Sequence, residues 1–570
     1  MSFFNLIMVA ISLCVIAAGV YYSGRDSVGG TTAYVSAFEK SVRAEWIFLG
    51  VVLFVAILVR VWDFGLVPYG MNQDGAMAAI DAKALADHAT DRLGMYMPVH
   101  FTAWGYGQMS VLMSYMMIPF IKLFGLNPVT ARLPMLIVSI LALYVVYRLM
   151  KELTGVTGAQ IALVLASFTP WHFIQSRWAL DCNMFPHMFL FGVYFLYKGI
   201  RYKRRYLYLS MLFFALCMYS YGVSFYTVPF FLLAACLYLV ISKRIRVRDV
   251  LICAGVYLLV AWPICLTMMI NAFGWETIET PFFTMPFFPQ SMRSNDILFF
   301  KDNIWDQLVN NFKYLMDVFV KGDDLPWNTV GEFGTVYMCM VPFVIVGMIL
   351  VFKKIIITER KKKKKAVVPI SEEERAKTAG LWLLAFWFLM AVMCGLITSN
   401  VNVNRENVLI YCLILFASFG ILFVYKHRHK LIFVIAGMCL VMGISFLSAY
   451  YSAEHNEGTM SAVFMGGLGE CMVDLKDSGC EQYFVDNACQ YEGNQDILKL
   501  QTMFYLEVDA EFARTDAFNN QYHYVPLDET MITDEVGMGY VVPKDKAGLF
   551  DETRFDIFSH GNFVAAIAKG

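Results

Sequence analysis

The chain is 570 residues long, 58% hydrophobic and 16% charged, with a mean hydropathy of +0.56 and a formal net charge of -1. A water-soluble globule needs more surface charge than this, so composition excludes one and indicates an all-α polytopic membrane protein. There is no basic excess to attract nucleic acid, and none is expected as a partner.

In chain order, apolar windows of spanning length fall near 3–22, 45–62, 130–149, 158–175, 182–199, 206–223, 226–242, 250–270, 334–352, 379–398, 406–425 and 430–449. They predict about twelve crossings. The first has no basic residues ahead of it and no small-residue cleavage site, so it reads as a retained helix rather than a signal peptide. Basic clusters recur at alternate span ends: Lys40/Arg43, Arg148/Lys151, "KGIRYKRR" at 198–205, "SKRIRVR" at 242–248, the lysine-rich stretch 353–365 and "KHRHK" at 426–430. All then share one side, which the positive-inside rule makes cytoplasmic, leaving Met1 and everything after Tyr450 outside. The expected organisation is an N-terminal helix and cytoplasmic loop (1–44), a transmembrane module (45–450) with external loops 63–129 and 271–333, and an extracytoplasmic domain (451–570) in a multi-pass plasma-membrane protein.

The first external loop opens with "VPYGMNQDGAMAAIDAKALADHATDRLG", residues 67–94. Asp74 stands where a helix N-cap would be, and capping alone would explain an acid there. Asp81 and His88 follow at seven-residue steps, so neighbours on this stripe are about 10 Å apart. That is too far to share a metal, and the two read as an exposed polar face. Segment 109–124 is apolar but short and contains Pro119, which suggests a re-entrant or interface-lying helix.

Arg132, Arg177 and Arg405 stand at span mouths on the same face as Asp74. Positive-inside logic predicts few cations there, so three beside a carboxylate suggest an anionic ligand. Arg177 is the less certain, because Asp181 four residues on would pair with it inside a helix. His100, Trp104, Trp171, Trp178 and Trp327 lie on the same side. The tryptophans read singly as interfacial belt residues, and Asp81, His100, Trp104, Trp171 and Trp327 together as a possible sugar or acceptor groove.

Between the later spans, "ERKKKKKAVVPISEEERAK" is a charged linker that anchors topology and attracts anionic lipid heads. The tail holds 21 acidic against 7 basic residues. "EQYFVDNA" and "MGYVVP" read as strands and "NQDILKLQTMFYLEVDAEFA" as an amphipathic helix, giving a small α/β domain. Its Cys471, Cys480 and Cys489 cannot all pair, and one disulfide with a leftover thiol is an option.

The order "NQDGAMAAIDAKAL … PVHFTAWGYGQMSVLMSYMMIPFIKLFGLNPVTARLPM … ASFTPWHFIQSRWAL … VNRENVLIY" resembles the GT-C membrane glycosyltransferases, in particular the bacterial branch similar to protein O-mannosyltransferases and lipid A aminoarabinose transferase. The resemblance covers roughly 45–450, is strongest over 67–205 and is weak in the tail. It implies a GT-C fold, a catalytic carboxylate at Asp74 and a family arginine at Arg132. The family often has Glu after the catalytic Asp, and here Gly75 takes that place.

Physical chemistry agrees with what the resemblance implies. A polyprenyl-phosphate sugar needs spans for its tail and fixed cations for its phosphate, the role expected of Arg132, Arg405 and Arg177. An acceptor hydroxyl attacking the anomeric carbon needs a base, expected to be Asp74. With a single carboxylate, one displacement with inversion is the natural outcome. The acceptor would be an extracytoplasmic glycan, lipid or protein; no metal ligand is assigned, and a divalent metal is compatible but not required. The alternatives are a transporter or flippase of a lipid-linked sugar, or an inactive GT-C scaffold.

Overall fold

The computed structural model describes residues 2–26, 41–105, 107–289, 304–321, 325–363, 370–398, 401–490 and 494–570. Met1, Lys40, parts of the second external loop (290–303 and 322–324) and part of the lysine run (364–369) lie outside the described residues. The long apolar runs form helices because, in hydrocarbon, each backbone donor and acceptor must be satisfied within its own segment. The helices are α1 (Phe3–Asp26), α2 (Val42–Val61), α3 (Gln73–His88), α4 (Leu112–Phe124), α5 (Pro128–Thr154), α6 (Val156–Phe168), α7 (Pro170–Gln175), α8 (Asp181–Arg201) and α9 (Arg205–Cys217). Then come α10 (Ser224–Ile241), α11 (Val247–Phe273), α12 (Ile304–Lys321), α13 (Val341–Lys363), α14 (Glu372–Ile397), α15 (Ile410–His427) and α16 (Leu431–Tyr450).

Among the described residues, nine helices are long and apolar enough to cross a membrane. The windows expected at 158–175, 182–199 and 206–223 are helical too, but α6 and α9 have only 13 residues each. α8 is long yet carries Asn183 and His187, both fully buried. A helix enclosed by other helices need not be apolar for the lipid's sake.

Ion pairs join the basic ends of several helices. Lys151 pairs with Glu45, Arg201 with Glu152 (2.7 Å), Arg244 with Glu372 (3.0 Å) and Lys354 with Glu374 (3.0 Å). These clusters therefore lie together at one end of the bundle. At the other end, Tyr451 just past α16 donates to Val59 O of α2 (2.8 Å), and Trp171 N of α7 donates to Thr335 O ahead of α13 (3.1 Å). This second end carries α3, α4 and the tail.

In the tail, α17 (Leu468–Asp477) and α18 (Gln495–Tyr505) accompany a mixed five-stranded sheet. An antiparallel hairpin, β1 (Phe101–Ala103) and β2 (Gly107–Met109), lies in the first loop, and a second one, β3 (Ile278–Glu279) and β4 (Thr284–Met285), in the other. The tail strands are β5 (Gln482–Asp486), β6 (Tyr522–Val525), β7 (Met538–Pro543), β8 (Phe555–His560) and β9 (Phe563–Ala568), in the order β6-β5-β7-β9-β8. One core runs without a break from the bundle into Leu468, Met472, Ile497 and Leu498 of the tail helices. A second, around Tyr540, Val542, Phe555 and Val564, belongs to the tail alone. Cys471, Cys480 and Cys489 are all buried free thiols, so the disulfide option falls away.

Candidate active site

The site is built on α3. Its N-cap is Asn72, whose side chain accepts from Gly75 N at 2.8 Å, so the cap expected at Asp74 is corrected by two residues. Asp74 lies inside the first turn and stays partly exposed. There the unpaired N–H groups of the helix end favour its negative charge. Its Oδ1 accepts the indole N–H of Trp104 at 2.7 Å.

The exposed stripe expected along α3 is also corrected. Asp81 is fully buried and pairs with Arg92 at 2.7 Å. Burial pushes its carboxyl up to about 7, against the pull of Arg92. Arg92 in turn donates to Thr102 O at 2.7 Å, which ties β1 to α3 and sets Trp104 beside Asp74. Asp81 is thus an anchor under the hairpin, not part of a groove. Ala76, Ala78, Ala79, Ala82 and Ala84 are buried as well, because their small size lets α4 and α18 pack close against α3. Besides Asp74 and Lys83, exposure on α3 is confined to its far end, where His88 is half exposed. His88 meets Asp509 of the tail at 2.7 Å.

Gly75 is a packing requirement. A Cβ there would lie 2.8 Å from Ala179 O, so the backbone of α3 touches the loop before α8. That loop leads into Asp181, which is buried and accepts from Cys182 N (2.7 Å) and from Ser110 N beyond β2 (3.3 Å). A second carboxylate thus enters the neighbourhood from α8 rather than from position 75. The sequence reading paired Asp181 with Arg177 and missed this placement.

Two of the three arginines are fully buried and hold backbone carbonyls. Arg177 is fully buried and donates to the carbonyls of Arg60, Trp62 (2.8 Å), Val67 (3.0 Å) and Asp63 (3.2 Å), over the rings of Tyr450 and Tyr451. The expected pair with Asp181 is replaced by these bonds. Arg132, also fully buried, donates to Gly70 O (2.6 Å) and Pro68 O (3.1 Å). Gln501 of the tail holds Met71 O at 2.8 Å, and Phe464 O holds Met71 N at 2.9 Å. Together they clamp segment 60–71, which leads into Asp74. In the structure both arginines support this loop, while Arg132 Nε and Nη1 and Arg177 Nε have no hydrogen-bond partner among the described residues.

Arg405 is different. It lies in a short turn, Val403–Glu406, capped by Asn402, and remains partly exposed. Asn407 donates to Cys182 O at 2.9 Å, which brings this turn to the start of α8 and Asp181. Next to Arg405, the fully buried Glu406 lies against Gly395, and both its oxygens lack a hydrogen-bond partner among the described residues. Sequence reasoning passed over it, since burial is not visible in a polar turn.

Of the groove candidates, Trp104 reaches Asp74, and the buried His100 packs on Phe288 (5.9 Å) and Phe225 (6.3 Å). Trp327 is half-buried. Trp171 is corrected: it is 1% exposed and packs on Tyr411 and His187 inside the bundle. Beside it, Arg60 is fully buried, donating to Ser167 O (2.8 Å) and lying 3.2 Å from His172 Nδ1. The sequence did not mark this cluster, because Arg60 falls at a span end where a snorkelling cation is ordinary. Among the described residues, the one set of three side chains close enough to share a metal ion is Asp87, His88 and Asp509, at the far end of α3 from Asp74.

Residues 109–270 match the family described as dolichyl-phosphate-mannose-protein mannosyltransferase. No curated protein matches the chain by sequence. The crystal structure of ArnT from Cupriavidus metallidurans in the apo state is similar at a TM-score of 0.51 and 11% identity, covering 92% of this chain and 98% of ArnT. The same enzyme bound to undecaprenyl phosphate gives 0.51 and 12%, covering 91% and 97%. The chain has the GT-C fold. Its architecture is like that of ArnT over nearly the whole of both chains.

Proposed function

We propose that this protein is a glycosyltransferase that moves a sugar from a polyprenyl phosphate to an acceptor hydroxyl on the extracytoplasmic face of the plasma membrane, with inversion. The observation that carries the reading is Asp74, partly exposed at the end of α3 away from the basic clusters and held there by Trp104. The family match over 109–270 and the likeness to an enzyme that binds undecaprenyl phosphate support the same kind of donor.

In the reaction, the Asp74 carboxylate accepts the acceptor's proton as its oxygen attacks the anomeric carbon. The bond to the phosphate oxygen breaks, and Arg405 stabilises the charge left on the departing phosphate. To Asp181, held beside this loop by Cys182 N and Ser110 N, falls the orienting of the acceptor or the sugar hydroxyls. Arg132, Arg177 and Gln501 keep segment 60–71 in place. Among the described residues Asp74 belongs to no group of three side chains close enough to share a metal ion, and no step is assigned to a metal.

The test is turnover of a polyprenyl-phosphate sugar by purified protein in lipid, with release of polyprenyl phosphate. Wild-type protein that binds the donor but releases none under any acceptor mixture from the cell surface would favour the transporter or scaffold reading.

A further inference from the structure

After α11 the chain doubles back. Gly274, at φ +68, ends the helix in the left-handed conformation, and Trp275 N closes the turn on Ile270 O at 2.9 Å. The hairpin β3–β4 then runs back beside the helix. Asn271 holds its base, donating to Pro286 O and accepting from Phe288 N, each at 2.8 Å. Met285 joins Ile270 and Val99 in a small core, and the Phe283 ring lies 5.5 Å from that of Trp262. Trp262 stands about three turns, roughly 16 Å, before the end of α11. The tip of the hairpin is therefore level with the body of a span rather than above it.

The exposed face of that span passes directly into the hairpin. Trp262, which carries Phe283, is itself exposed, and the exposed Phe273 stacks on Trp275 at 5.2 Å. At the tip, Phe282 is 78% exposed. The backbone is closed as hydrocarbon requires. Thr280 Oγ1 accepts from Phe282 N (3.3 Å) and Phe283 N (3.0 Å), and Thr277 Oγ1 from Phe287 N (3.0 Å). Thr280 N donates to Phe283 O (3.0 Å), Met285 lies in the ladder opposite Ile278, and Pro281 and Pro286 have no N–H to satisfy. In water such internal closure is optional; at membrane depth it is obligatory. Glu276 and Glu279, both exposed, set the limit of depth, since a carboxylate belongs among the head groups.

We propose that the β3–β4 hairpin is inserted in the leaflet at the Asp74 end of the bundle, with the lipid surface as its partner. Pro281 and Phe282 enter the acyl boundary, and Glu276 and Glu279 stay at head-group level. Thr284 O accepts from Val99 N at 3.0 Å, so the inserted hairpin holds the part of the first loop that continues through His100, packed on Phe288, into β1 and towards Trp104. The membrane thereby fixes the height of that loop.

The full chain in phosphatidylcholine nanodiscs is tested by photocrosslinking. Benzoylphenylalanine in place of Phe282 should form adducts with lipid acyl chains, found by mass spectrometry of the hairpin peptide. The same replacement at Phe273, on the span, is the positive control, and at Val536, equally exposed at 78% but in the tail, the negative one. Absence of lipid adducts at 282, adducts there with a second copy of the chain instead, or equal lipid adducts at 282 and 536 would overturn the proposal. Phe282→Asp should expel the tip and lower the exchange protection of Val99 N–H by about tenfold, the scale of one buried aromatic ring. Unchanged protection would overturn the link to the first loop. Should that variant misfold, the crosslinks decide alone.

Discussion

Asp74 and Gly75 are neighbours in sequence with opposite demands. Asp74 needs space and the helix end, so Asp74→Asn should leave folding and donor binding intact while turnover falls by about 10² to 10⁴, the usual worth of a general base. Activity within about threefold of wild type would leave Trp104 pairing as its whole role. Gly75 needs the absence of a side chain, because Ala179 O lies 2.8 Å from where a Cβ would be. Gly75→Ala should therefore lower the melting temperature and turnover, despite the better helix propensity of Ala. Gly50→Ala in α2, with nothing within 4 Å, is the control and should be neutral or slightly stabilising. The arginines divide in the same way. Arg405→Ala should reduce both donor affinity and turnover, with partial rescue by Lys, which keeps the charge but loses the planar fork. Arg132→Ala and Arg177→Ala should reduce yield and melting temperature first, and Lys should rescue neither.

At the scale of elements, the hairpin β1–β2 reaches its place through a relay from Asp81 to Arg92 to Thr102 O. Asp81→Asn leaves Arg92 buried without its counter-charge, a loss of about 3–5 kcal/mol for a buried pair. A fall in melting temperature with faster hydrogen exchange across 101–109 is the expected reading; unchanged exchange would break the relay. A second link joins α3 to the tail at His88 and Asp509. The hydrogen bond to Asp509 raises the His88 pKa above its usual 6.5. Because the folded value is the higher one, this contribution is complete below about 6.5 and fades as pH rises through the raised value. Exchange protection over 506–515, taken relative to the intrinsic rate at each pH, should thus fall between neutral and alkaline pH, and His88→Gln should remove that fall.

For the whole molecule, the basic clusters mark one end of the bundle and Asp74 with the tail the other. A cysteine introduced near Lys363 should resist an impermeant reagent from outside, and one near Asn519 should react; the reverse pattern would invert the proposed orientation. The tail is also part of the site's support. Gln501 and Phe464 hold Met71, and Gly70 at φ +91 comes so close that a Cβ would lie 2.3 Å from Phe464 O. Gln501→Leu should therefore depress turnover more than it alters donor binding, measured as a split between kcat and KM.

The positions of the nine long apolar helices among the described residues and the gathering of basic clusters at one end of the bundle were legible in the sequence, because each rests on a one-dimensional pattern: apolar run length and charge alternation. In the tail, β5 and β7 were visible as apolar runs, and α18 as a helix, though it stops at Tyr505. β6 and β8 were missed, since polar residues such as His523, Asp556 and Ser559 lie in them and strand pairing supplies the backbone bonds that local propensity does not signal; β9, the apolar run FVAAIA, was passed over because its alanines have little strand propensity and its burial between β7 and β8 is tertiary. What only the tertiary structure decided is which polar residue meets which. Three arginines at span mouths look alike along the chain, yet two are enclosed and hold carbonyls while one keeps exposure. Asp81 looked solvated because the periodicity of α3 says where a side chain points, but not that the hairpin, α4 and the tail close over it. Gly75 read as a missing acid, and Ala179, more than a hundred residues away, is the reason no side chain fits.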